Sequence, residues 1–153
     1  MPIYKWTTGS RVKADAQTVG EICEQLEKNG GLTPKSLVDA SRSEDAPLHN
    51  LFEWRDEIAA EKYRESQAGY LIRSIEVVTV GTSEPVRAFM PVVIEQDSEK
   101  KSYINIERAM SSNDTRKQVL DRALSELRAF KRKYQNFKEL ASVFKAIDSV
   151  ERS

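Results

Sequence analysis

TRKQVLDRALSELRAFKRKYQNFKELASVFKAIDSV, residues 115–150, is the stretch whose reading decides the architecture. Within it Leu120, Ala123, Leu127, Phe130, Tyr134, Phe137, Ala141 and Phe144 recur in alternating steps of three and four. That spacing puts them on one face of a single long helix, expected over 114–150. An isolated helix carrying an aromatic stripe is only marginally stable in water, so the seam needs cover from the rest of the chain or from a second copy. The bulk of Phe130, Phe137 and Phe144 disfavours a slim two-stranded coil; a helix lying across its own domain or a domain-swapped dimer fits better. Leu120, Leu127, Phe130, Tyr134, Phe137 and Phe144 are therefore the candidate self-association residues, and the polar pair Gln135 and Asn136 marks a candidate bend.

Beside the stripe lies the one local concentration of positive charge. Arg128, Lys131, Arg132, Lys133 and Lys138 have no Asp or Glu between the first and the last of them. Such a run binds phosphates by releasing counterions, with salt-sensitive and sequence-blind affinity. It reads equally well as a solvated outer face or as a surface for an acidic protein.

Working back from the seam, Ser111, Ser112, Asn113 and Asp114 are good cap residues leading into the helix. Before them the spacing is that of strands. Ser74 to Val80 is rich in β-branched residues, Val86 to about Gln96 follows a turn at Gly81 to Pro85, and Lys101 to Glu107 follows a polar turn at Asp97 to Lys100. Short turns imply an antiparallel three-stranded meander over 73–108, with Pro91 at an edge or bulge.

The first half, 15–72, reads as helical. Ala16, Val19, Ile22, Cys23 and Leu26 describe one helical face, which Asn29, Gly30 and Gly31 terminate. Thr33 caps the next helix and Pro34 suits its first position, so 15–42 forms a helix-turn-helix-like pair. Leu48, Leu51, Phe52 and Trp54 form an apolar cluster after a loop. A third helix is expected from Asp56 to about Ile72, with Ala60, Tyr63, Gln67 and Tyr70 along one side and Ala59 and Leu71 adjacent. Ile3, Tyr4 and Trp6 make either an edge strand or a tether for the terminus. The whole is one α+β domain over residues 1–153.

The strings Gly31-Leu32-Thr33-Pro34, Pro47-Leu48-His49-Asn50-Leu51-Phe52-Glu53-Trp54 and Ala59-Ala60-Glu61-Lys62-Tyr63-Arg64 resemble an uncharacterised family of small proteins carried by prophages and mobile elements of Gram-positive bacteria. Arg128-Ala129-Phe130 with Tyr134 is similar to that family's C-terminal helix, while Gly69 stands where a basic residue is expected. The resemblance implies a phage or mobile-element setting and carries no functional residue over.

Bulk properties exclude several classes. Lys plus Arg and Asp plus Glu balance at 24 each among 153 residues, so attraction to a polyanion has to be local. No apolar run approaches the roughly 20 residues of a membrane span, and Met1 to Thr8 lacks a signal-peptide pattern, so a soluble cytoplasmic protein is expected. Cys23 is the sole cysteine and His49 the sole histidine, which leaves no disulfide and no common zinc set. Cys23 falls on a core face, and Gly30-Gly31 lacks the Lys-Ser/Thr of a phosphate loop. No acid, base and nucleophile assemble, so neither an enzyme nor a cofactor is expected.

What remains is non-catalytic. If the hairpin reads DNA, its second helix offers Lys35 and, just beyond, Arg42, with Asp39 between them; Lys100 and Lys101 at a β-turn tip would form a wing. With Arg128, Lys131, Arg132, Lys133 and Lys138 these make a candidate nucleic-acid surface on an accessory or regulatory protein acting as a homodimer. The alternatives are an inhibitor or adaptor gripping a host or phage protein through the seam or the Leu48 to Trp54 cluster, and a structural subunit of a larger phage assembly.

Overall fold

The computed structural model describes residues 2–58, 60–79, 83–93 and 101–151. The architecture is α+β, as the sequence pattern requires. β1 (Ile3–Trp6) leads into α1 (Ala16–Lys28) and α2 (Pro34–Ala40); after a loop come α3 (Glu61–Ser74) and β2 (Ile75–Val78). β3 (Val86–Arg87), β4 (Phe89–Val93) and β5 (Lys101–Asn105) follow, then α4 (Ile106–Ser111), α5 (Asn113–Tyr134) and α6 (Ala141–Glu151).

Local chemistry sets the first helices. The Asp15 carboxylate accepts from the Thr18 amide at 3.1 Å and caps α1, and Gly30 and Gly31, with φ of 130° and 111°, end it in backbone only glycine adopts readily. Thr33 and Ser36 cap α2 reciprocally, each side chain accepting from the other's amide. α3 begins later than expected. Ala60 stands at its N-cap, and Asp56 lies in the preceding turn.

The strands form two sheets rather than one meander. β1, β2 and β3 pair antiparallel in that order, so Ile3, Tyr4 and Trp6 are an edge strand, with Tyr4 opposite Val77. β4 and β5 pair separately, with Pro91 on the edge where its missing N–H costs no ladder bond. The division falls at Ala88. Its N–H donates to Ile75 O at 3.1 Å, and its C=O accepts from the Ile106 N–H at 2.8 Å, so one buried residue links β2 to the start of α4, where β5 ends. The end of the first expected strand with the start of its turn, 80–82, the end of the second at 94–96 and the turn at 97–100 lie outside the described residues, as does Ala59.

The core lies between these sheets and α1 to α3. Val19, Cys23, Leu32, Leu37, Ile72 and Phe89 are fully buried within it. A smaller cluster of Val92, Ile104 and Ala109 ties β4, β5 and α4 to the first turns of α5, where Gln118 also clasps the Val93 backbone, accepting from its N–H at 2.8 Å and donating to its C=O at 3.0 Å. Val119 still packs on this cluster, and Leu120 and Ala123 line a hollow with Met110 of α4. The single 114–150 helix is instead two. α5 ends at Tyr134, Phe137 is extended, and α6 runs back along α5, the Lys131 ammonium meeting Asp148 at 2.6 Å and Arg128 meeting Glu151 at 3.4 Å. Reversal at the Gln135 and Asn136 pair has a physical reason: it buries Phe144 and Ile147, which a straight rod would leave in water.

Candidate functional site

Three groups of side chains bear on function: the cations on α2, the cations and apolar stripe of the α5–α6 hairpin, and a groove beside α3.

On α2 the cations are engaged. Lys35 bonds Asp39 at 2.7 Å, and the Arg42 guanidinium binds both Asp39, at 2.9 Å, and Glu61 of α3. Lys35 and then Arg42 hold the Asp39 carboxyl below the usual carboxylate range. Asp39 thus sits at the centre of a local network, and a base edge would have to displace it from its partners. Arg42 also lies 5.9 Å from the centre of the Trp54 ring, which stacks on His49 with ring centres 4.9 Å apart. This corner locks α2 to α3.

The hairpin divides its cations. Arg128 and Lys131 are paired with Glu151 and Asp148, whereas Arg132, Lys133 and Lys138 have no ion pair among the described residues. The Lys133 ammonium rests 5.2 Å from the centre of the Tyr134 ring. α2 packs against α3 while α5 packs against α4, β4 and α6, so the expected joint surface is split between separate groups of elements. Lys101 begins β5, opposite Val93, and its side chain is outside the described residues, as is Lys100.

The apolar stripe is only partly covered. Phe144 is buried and packs against Phe130, with ring centres 6.4 Å apart, and Tyr134 is half-buried between Phe130 and Phe137. Leu120, Leu127, Phe130 and Phe137 remain exposed, Phe137 by 55%. Val143 and Val150 of α6 join them, and no residue of the 22-residue α5 is buried.

The groove beside α3 has no counterpart among the sequence expectations. Tyr63, Gln67 and Tyr70 do share one side of α3, but that side faces outward, with the tyrosines 53% and 44% exposed. Arg64, Ala68, Leu71 and Ile72 face inward instead. The signal is the competing set Ala68, Leu71, Ile72 and Ile75, which has helical spacing and continues into β2. Opposite the tyrosines runs the 11–13 segment, and the space between holds about 470 Å³.

Neither a protein-family model, a curated protein nor a solved structure matches this chain. Among the described residues no group of three or more His, Cys, Asp or Glu is placed to hold a metal ion, and no helix is long and apolar enough to cross a membrane. Burial pushes the Cys23 thiol up to about 12.

Proposed function

We propose that this protein is a non-catalytic accessory protein that works as a homodimer in the cytoplasm, its α5–α6 hairpin pairing with the hairpin of a second copy. The carrying observation is that α5, 22 residues long, buries none of them while presenting Leu120, Leu127 and Phe130 in line. Two hairpins related by a two-fold axis would enclose these side chains and those of Val143 and Val150 as the core of a four-helix bundle. Each large apolar side chain brought from exposure to full burial contributes about 1.5–3 kcal/mol before the costs of association. The resemblance to proteins of prophages and mobile elements supplies only the setting.

Light scattering on the eluting protein tests it. The expected mass is twice the 17.4 kDa of one chain. Leu120→Glu with Leu127→Glu, two exposed positions with no aromatic partner, gives the single-chain mass with an unchanged circular dichroism spectrum. A wild-type protein that elutes as a single chain at about 100 μM, well above an ordinary micromolar dimer constant, overturns the reading.

A second reading rests on Arg132, Lys133 and Lys138, the cations near the turn of the hairpin that no carboxylate engages among the described residues. They would hold phosphates of a nucleic acid without reading its sequence. Replacing all three with Glu should abolish retardation of duplex DNA in a low-salt gel, and absence of retardation by the wild type ends this reading.

A further inference from the structure

The groove beside α3 brings together chemistry that neither the hairpin nor α2 uses. One wall is the outward face of α3, where Tyr63 and Tyr70 stand seven residues apart, about 10 Å along the helix axis. Neither ring stacks on another aromatic side chain among the described residues. The other wall carries Arg11 and Lys13; among the described residues neither has an ion pair and no Asp or Glu lines the space.

These walls are held in place. The Trp6 indole N–H donates to Ala14 O at 2.6 Å, fixing the 10–14 segment against β1, and the Val12 N–H donates to Ser10 Oγ at 3.3 Å within the segment. The Ser10 hydroxyl and the Arg11 backbone amide, by hydrogen bonding, hold the Tyr70 phenol below its usual range, which ties one tyrosine to the opposite wall. Gln67, between the two tyrosines, accepts from the Glu53 amide at 3.4 Å through its oxygen and keeps its amino group for a further acceptor. A volume of about 470 Å³ is in the range of small-ligand sites, and a mostly apolar lining with a few polar groups is their usual composition.

Lys13, Asn50 and Leu51 also line a second hollow of about 300 Å³. Its one carboxylate, Asp15, is engaged in capping α1 through Thr18.

We propose that this groove binds a nucleotide, its base lying on Tyr63, the more exposed of the two rings, and its phosphate on Arg11 and Lys13. Stacking on an aromatic ring accepts any base, and two cations without a competing carboxylate supply the phosphate contact. A nucleotide unit meets both requirements at once, whether free or as part of a single strand. The site is independent of how the hairpin is used.

Titration calorimetry on the full chain tests this with AMP, UMP, an eight-residue oligothymidylate and inorganic phosphate as separate probes. Binding of the mononucleotides and the oligomer with similar affinity assigns a free nucleotide; tighter binding of the oligomer assigns a single strand. In either case Tyr63→Ala weakens binding by at least about fivefold, the lower end of a lost base stack. Arg11→Ala with Lys13→Ala weakens it and flattens its dependence on salt. Tyr63→Phe restores wild-type affinity, since a phenyl ring stacks as well, and the Glu replacements at Arg132, Lys133 and Lys138 leave it unchanged. Thermal melting of each variant confirms that the fold persists. The proposal is overturned if no nucleotide probe binds below about 1 mM, if inorganic phosphate binds as tightly as AMP, or if the Tyr63→Ala and Arg11→Ala, Lys13→Ala variants bind like wild type.

Discussion

The Tyr4 ring lies flat against Gly20, so close that a Cβ on Gly20 would fall 2.2 Å from the ring's Cγ. Glycine is present here for contact, because Gly20 sits inside α1 with ordinary helical backbone. The bare backbone lets β1 approach α1, and three bonds hold it there. The Tyr4 amide donates to Gln17 at 2.9 Å, its hydroxyl donates to Glu24 at 2.8 Å, and Gln17 returns a bond to Pro2 O at 2.9 Å. Gly20→Ala should therefore destabilise the protein by about 1–3 kcal/mol, the usual cost of overpacking, despite alanine's better helix propensity. Urea unfolding monitored by tryptophan fluorescence reads this directly, since Trp6 is on the displaced strand.

Arg64 is the other residue on which a distant contact depends. Its residue exposure is 5%, and its guanidinium donates to the carbonyls of Glu53, at 2.8 Å, and Trp54, at 3.3 Å, as well as to Asp56 and Glu61. It also lies 5.1 Å from the centre of the Trp54 ring. Arg64→Met preserves much of the volume but strands two backbone acceptors, which is the costlier loss. Its melting temperature should fall well below that of Asp56→Asn, which removes only an exposed partner. Equal melting of the two variants would show that the carbonyl contacts carry no weight.

Glu27 makes a prediction in pH. Its carboxyl is buried in α1, and burial raises its pKa, a shift that the Asn105 backbone bond and the Arg108 guanidinium at 2.8 Å only partly offset. A carboxyl raised on folding favours the native state most when protonated, so its contribution is fully present below the ordinary carboxylate range. The contribution is lost as pH rises through the native value. Glu27→Gln should flatten that fall. The variant is expected to melt above wild type at pH 8, with the difference vanishing near pH 4, in calorimetric scans across that interval.

Legibility in the sequence follows the range of the forces involved. The caps at Thr33 and the stop at Gly30 and Gly31 act within a turn of chain, and both elements lie where those residues place them. β1 is ambiguous between strand and tether in the sequence because its partner, β2, is some 70 positions away. The outward side of α3 misleads for a different reason. Tyr63 and Tyr70 look like core residues by type, and the helix is only weakly amphipathic, so two stripes compete and tertiary packing chooses Ala68, Leu71 and Ile72. The seam is visible in its spacing, whereas its fold-back at Gln135 depends on Phe144 reaching Phe130, a contact between turns that spacing does not encode. Of the cations, the sequence locates every one and, by helical spacing, the pairing of Lys35 and Arg42 with Asp39, but not those with Glu61, Asp148 and Glu151, which arrive from other elements.

Ala88 has a consequence for how the molecule comes apart. With its donor committed to Ile75 of β2 and its acceptor to Ile106 at the start of α4, both its backbone groups are engaged, so loosening β2 loosens the β5–α4 junction. The amino-terminal strand and the root of the hairpin thereby fall within one cooperative unit. Fraying belongs to the far end of the hairpin around Phe137, and amide exchange should grade from that tip down to Ala123, where α5 meets the body.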